Sequence, residues 1–319
     1  MTTIEDNYKN FFEEYLAILQ PIFEIAKKES EIDFILSLLA IRGVSDAGWD
    51  PYENTEDLAK EVHMQQSKFK RDLRLNLNLW MYLQLIESSE QYELIANLLK
   101  TINGDHYVIA NHKNKDYVNL KVEQKIDRLR KLAKNSEFKD ATVPFEKTFD
   151  AKFRNAIGHG DYALKKSGQK GITIIGDNDF PRLYSEQETS DLVNRALALH
   201  SVISGLKDAY VRSYGELSSF RVNQGVLGLD DQSEVQLIVR KNHGVIGVSF
   251  VGGYDDGKPF TSSLYKCLPY EKKLIENGII FLPKSKPERV NRILSLLPDR
   301  LASKLTPLAD RFINRGSDG

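Results

Sequence analysis

Residues 143–162 read VPFEKTFDAKFRNAIGHGDY, and the fold class turns on this stretch. Phe145, Phe149, Phe153, Ala156 and Ile157 recur at helical spacing, which predicts one α-helix from about Val143 to Gly158. With Phe149 at zero and about 100° per residue, Phe153, Ala156 and Ile157 fall between about −20° and 80°. Arg154 then lies near about 140°, Asn155 near about 240° and His159 near about 280°. Three polar side chains are therefore excluded from the apolar stripe. Asn155 and His159 are one turn apart and can touch. Arg154 sits on the other flank, and joins them only if the helix ends at Gly158 or a second helix supplies the matching surface.

Working outward, the chain before this stretch reads as helices. Phe11, Tyr15, Leu19, Ile22 and Ala26 repeat at helical spacing, with Pro21 expected to kink or split the helix. Residues 31–42 continue helical and stop at Gly43, and DAGWDPYENT (46–55) is a loop by its Gly, Pro, Asn and Asp content. Periodic runs follow at roughly 55–64, 67–86, 89–102 and 120–134. After the opening stretch, YALKKSGQKGITIIG suggests a short hairpin over about 162–175, turning at Ser167 and Gly168. Ser185 with Glu188 three residues on forms a capping box that opens one long amphipathic helix. Near Gly215 the pattern changes to strands, with turns at Asn242–Gly244 and Asp255–Gly257 and a later helix at about 286–297. The expected architecture is mainly α: a helical domain over 1–216, with its motif-bearing core at about 143–214, and a smaller α+β domain of unknown role over 217–319.

At 319 residues the chain is long enough for two domains by the usual prior of about 100 to 200 residues each. Hydrophobic residues at 41% and charged residues at 28% exclude wholesale disorder. The opening MTTIEDNYKNFFEEYLAILQ lacks a basic flank before an apolar core, and no apolar run approaches the roughly 18 residues needed to cross a bilayer. A cytoplasmic protein without membrane partners is expected. Cys267 is the only cysteine, which excludes an intrachain disulfide and cysteine-based zinc sites; no metal or other cofactor is expected. The net charge of −1 averages over unlike segments. Residues 1–66 carry fourteen acids against five bases, whereas residues 113–140 carry nine bases against five acids. Lys125, Arg128 and Lys131 in the second segment, with Lys165 and Lys166 in the hairpin, are candidate contacts for a phosphate backbone. The alternative for the basic segment is a solvated helix face laced with pairs such as Asp127 and Lys131.

The string R154-N-A-I-G-H159 resembles the signature of the HEPN family: an Arg, usually followed by a polar residue, and a His four to six positions further at a helix end in an all-helical domain. Gly160, Asp161 and Tyr162 and the hairpin and long helix behind them extend the likeness over about 143–214. The resemblance implies a HEPN-like helical bundle in which His159 acts in acid/base chemistry, Arg154 contacts phosphate and Asn155 is the polar third member. Asp161 and Tyr162 are candidate supporting residues. Some members carry a His-x-Tyr whose tyrosine a partner nucleotidyltransferase modifies. Here His159-Gly-Asp-Tyr162 is one residue longer, and Tyr162 is expected to be a packing residue.

Cutting RNA without a metal needs a base for the 2′-hydroxyl proton, an acid for the leaving oxygen and a cation for the phosphorane charge. Imidazole suits both proton transfers and guanidinium suits the phosphate. One motif supplies one histidine, so an active enzyme is expected to be a homodimer with a composite site. The resulting expectation is a metal-independent endoribonuclease on single-stranded RNA. The resemblance adds a toxin or antiviral defence role, with an antitoxin or regulatory protein as a further partner. The competing expectation is a non-catalytic HEPN-like interaction or nucleotide-binding module. Arg195 and His200 in NRALALH match the bare spacing too, but on an apolar helix, and are expected to be structural. His106 and His112 lack a metal-ligand pattern, GVSFVG around Ser249 misses the nucleophile-elbow spacing, and Gly244, Gly247, Gly252 and Gly253 lack the rest of a phosphate loop.

Overall fold

The structure is a computed structural model that describes residues 4–39, 57–58, 61–62, 64–65, 68–107, 120–164, 171–174, 181–214, 219–222, 233–240 and 244–251. The expectations at Gly43, 46–55, Lys165 to Gly168, Asn242, Asp255–Gly257, Cys267 and 286–297 lie outside these residues. Within them the protein is mainly helical, with small antiparallel sheets.

Helix α1 runs Ile4–Glu29 and continues unbroken past Pro21. A proline inside a helix costs about 3 kcal/mol. Here Leu19, Ile22, Phe23 and Ala26 are fully buried around it, and at about 1.5–3 kcal/mol for each large side chain their burial outweighs the lost hydrogen bond. Of the two outcomes expected at Pro21, a kink or a split, the continuous helix excludes the split. Helix α2 (Glu31–Leu38) starts at Ser30, whose hydroxyl oxygen accepts the Asp33 N–H. Helices α3 (Arg71–Glu87) and α4 (Ser89–Ile102) are separated by Ser88 alone, and α5 spans Val122–Lys134. A 3-10 turn, Lys139–Thr142, leads into α6 (Val143–Thr148).

The single helix expected over 143–158 is two helices, α6 and then α7 (Ala151–His159), because Phe149 and Asp150 adopt extended backbone. Asp150 is the reason. Its Oδ1 accepts the Phe153 N–H at 2.9 Å, the bond of a helix N-cap, and its Oδ2 accepts the Tyr184 hydroxyl at 3.0 Å. The Tyr82 hydroxyl donates to the Thr148 carbonyl across the same break.

Strands β1 (Tyr162–Leu164), β2 (Gly171–Ile174) and β3 (Arg182–Ser185) form an antiparallel sheet in that order. The expected hairpin strands are present and pair with Tyr162 opposite Ile174 and Leu164 opposite Ile172; β3 is an unexpected third strand. The capping box at Ser185 and Glu188 opens α8 (Glu186–Ser213) as the sequence indicates. At 28 residues and about 1.5 Å each, α8 is about 42 Å long and serves two cores. Its first half places Val193 and Ala196 with Leu79, Tyr82, Phe153, Ile157, Ile172 and Tyr184. From Ala198 onward, Ala198, Val202, Ile203 and Leu206 join Tyr15 and Phe23 of α1, Phe34 of α2, and Leu94, Ile95 and Leu98 of α4.

Beyond α8, β4 (Ser219–Val222), β5 (Ser233–Arg240) and β6 (Gly244–Val251) form a second antiparallel meander. Leu237 and Val245 belong to the same buried cluster as the helices. Gly244 has φ +76°, and a Cβ there would lie 2.1 Å from the Val211 carbonyl oxygen, so glycine is what lets β6 approach α8.

Two stability outcomes follow from these caps. Asp150→Ala should lower unfolding stability by about 1–2 kcal/mol, read as a shifted urea midpoint. The Ser185 backbone N–H and hydroxyl hold the Glu188 carboxyl below its ordinary range. A carboxyl depressed by folding adds stability above its unfolded value, and that stability is lost as pH falls through the lower folded value. Thermal melts from about pH 6 to about pH 3 should therefore give Glu188→Gln a flatter acid limb than the parent chain.

Candidate active site

Helix α7 is nine residues long and both of its ends are specified. Asp150 caps its start. At its end the Gly160 N–H bonds the Ile157 carbonyl at 3.3 Å and the Asp161 N–H bonds the Ala156 carbonyl at 2.8 Å. With Gly160 left-handed at φ +76°, these are the two bonds of a Schellman motif, which makes His159 the last residue of the helix. Phe153, Ala156 and Ile157 are buried and Asn155 and His159 are exposed, as the angular reckoning within this segment requires. Phe153 anchors the helix, with ring centroids 5.1 Å from both Tyr82 and Tyr184.

Arg154 is half-buried and engaged. Its Nε donates to Oε1 of Glu87 at the carboxy-terminal end of α3, its Nη2 lies against the same oxygen, and its Nη1 donates to Asn155 Oδ1 at 2.8 Å. A guanidinium has five N–H groups, so both terminal nitrogens keep a donor for a phosphate oxygen. The side chains of Arg154 and Glu87 are 34% and 35% exposed, so solvent and salt screen the pair. The pair is nonetheless formally neutral, which an RNA phosphate must contend with.

His159 faces elsewhere. With Gly158, Gly160 and Tyr162 it lines an open hollow of about 740 Å³, whose other wall is formed by α3 residues including Asn76 and Trp80. No hydrogen bond or ion pair among the described residues joins His159 to Arg154 or Asn155. Within one chain the three expected site residues thus form two groups: Arg154 with Asn155 and Glu87, and His159 on the hollow. The Tyr162 hydroxyl donates to Asn76 Oδ1 at 2.9 Å while its ring packs against the cluster around Phe153, and Asp161 is exposed.

The expected phosphate contacts divide. Lys125 is 2% exposed, which removes it from any RNA surface. Its Nζ donates to the Glu87 carbonyl at 3.1 Å and to Ser89 Oγ at 2.8 Å, and lies 5.2 Å from the centre of the Tyr92 ring. Val122, Lys125, Ile126, Leu129 and Ala133 are the buried stripe of α5, so helical periodicity marks Lys125 as inward where charge counting does not. Arg128 and Lys131 are exposed on the same helix; Lys165 and Lys166 lie outside the described residues. Arg195 and His200 are structural: the Arg195 guanidinium lies over the Phe11 ring and donates to the Lys147 carbonyl, and His200 is buried.

Sequence reading missed Glu87, Asn76 and Trp80. Glu87 carried one signal, a carboxylate at a helix end where the dipole disfavours it. Among the described residues, no cluster of three or more His, Cys, Asp or Glu side chains is placed to hold a metal ion, and no helix is long and apolar enough to cross a membrane. No protein-family model, curated protein or solved structure matches the chain.

Lys125→Ala should lower stability by about 1.5–3 kcal/mol, because it strips a charged donor from the part-buried Glu87 carbonyl and the buried Ser89 hydroxyl. Lys131→Ala, on the exposed face of the same helix, should change the unfolding free energy from urea melts by no more than about 0.5 kcal/mol.

Proposed function

We propose that this protein is a metal-independent endoribonuclease of the HEPN type, acting on single-stranded RNA by attack of the 2′-hydroxyl on the adjacent phosphate. The observation that carries the reading is the end of α7. A nine-residue helix, capped at both ends, leaves an exposed His159 at its tip and an Arg154–Asn155 pair one turn back. His159 takes or returns the proton, and Arg154 meets the phosphorane charge with the donors that Glu87 and Asn155 leave unused.

One chain offers a single motif histidine, facing away from its arginine. Two chains related by a twofold axis supply a base, an acid and two guanidiniums, so the proposed enzyme is a homodimer with a composite site. The resemblance that led to this reading also suggests a toxin or antiviral defence effector held by an antitoxin or regulatory protein.

A second reading is favoured by one specific contact. Glu87 already neutralises Arg154, which suits a non-catalytic module that binds a nucleotide or a partner through the hollow.

Incubating the full chain with single-stranded RNA in excess EDTA separates the two. The nuclease reading expects cleavage, with 2′,3′-cyclic phosphate ends. His159→Ala should cut about 10²–10⁴-fold more slowly with an unchanged melting temperature. Arg154→Lys should also lose rate, because a point charge does not replace a planar fork of donors. Undiminished cutting by His159→Ala discards the assignment.

A further inference from the structure

The hollow beside His159 is far larger than proton transfer by one imidazole requires. At about 740 Å³ it falls within the roughly 300–1,000 Å³ typical of small-ligand sites. Its chemistry is selective. Asn76, Trp80 and Gln84 follow one another at single-turn spacing along α3, opposite His159 and Tyr162. Trp80 is 62% exposed, an unusual cost for so large an apolar ring. The bond from the Tyr162 hydroxyl to Asn76 Oδ1 fixes that amide and leaves its Nδ2 as a donor. The Gln84 amide offers a donor and an acceptor one turn further on. Among the described residues no Lys, Arg, Asp or Glu lines the hollow.

We propose that this hollow is a nucleobase pocket: Trp80 stacks on one unpaired base of single-stranded RNA while the amides of Asn76 and Gln84 read its edge. The proposal rests on the ribonuclease reading and adds a base-selecting subsite beside His159. Among the described residues the lining carries no Lys or Arg, which favours a base over a phosphate as the occupant. An aliphatic partner surface would bury Asn76 and Gln84 amide groups without hydrogen bonds, at a cost that a base edge avoids. An aromatic face flanked by hydrogen-bonding amides is how splayed single-stranded bases are held by proteins generally. The scissile phosphate beside the bound base then lies at the tip of α7.

Trp80 reports its own occupancy. The chain has two tryptophans, so Trp49→Phe isolates its fluorescence. In that background a mixed-sequence single-stranded RNA, 2′-O-methylated to prevent cleavage, should quench the signal saturably. An abasic ribose-phosphate oligomer of the same length should not. In the full chain, Trp80→Ala and Trp80→Leu should weaken binding of the methylated RNA by about 5- to 150-fold, with Trp80→Phe between them and the parent. Asn76→Ala and Gln84→Ala should change the ranking among homopolymers of the four bases. Equal affinity for Trp80→Leu and the parent overturns the proposal. So does equal quenching by the abasic oligomer. A change of oligomeric state in Trp80→Ala with RNA affinity unaltered assigns the hollow to a second copy instead, and also overturns it. The two readings fail separately. Stacking without cleavage in the wild type keeps the pocket and discards the nuclease, whereas cleavage and affinity both indifferent to Trp80 keep the nuclease and discard the pocket.

Discussion

One carboxylate organises the centre of the molecule. Asp150 caps α7 with Oδ1 and receives the Tyr184 hydroxyl on Oδ2, while its own N–H approaches the Tyr82 oxygen at 3.4 Å. Both tyrosines are buried, and burial pushes their hydroxyls well above the ordinary phenol range, so they stay neutral donors. Asp150 thereby ties three elements together: α3 through Tyr82, the first sheet through Tyr184, and α7 itself. It also ends α6. Without that break a continuous helix would carry Arg154, Asn155 and His159 off in a different direction.

The two ends of α7 jointly place the candidate site. The start is set by the cap and by Phe153 wedged between Tyr82 and Tyr184; the end is set by the left-handed Gly160. Nine residues between fixed ends give Arg154 and His159 a defined separation on a rigid element. Helix α8 supports this from behind. Because it runs through both buried clusters, the sheet that holds Tyr184 and the α1–α2–α4 layer share one backbone.

The end of α3 has a double use of a similar kind. The Glu87 carbonyl receives buried Lys125, and its carboxylate receives Arg154. Burying a lysine is costly unless its donors are satisfied, and here a carbonyl, a hydroxyl and an aromatic face satisfy it. The carboxylate in turn fixes where the guanidinium lies before any phosphate arrives. A phosphate must then either share Arg154 with Glu87 through the unused donors or displace the carboxylate.

Local sequence by itself determined the mainly helical class, the presence of a hairpin over about 162–175, the capping box that opens α8, and the exposure of Asn155 and His159. Each depends on neighbours a few residues away, where periodicity and capping chemistry are decisive. Even the break at Asp150 had a local mark, an N-cap residue type followed three positions later by Phe153. Only the tertiary structure decided that Arg154 turns to Glu87, that Lys125 meets the Glu87 carbonyl and Ser89, that Pro21 lies within one unbroken helix, and that His159 shares a hollow with Trp80. Those outcomes depend on side chains tens of residues apart meeting in space, and on burial energies that outweigh local preference. No spacing rule within one helix contains them.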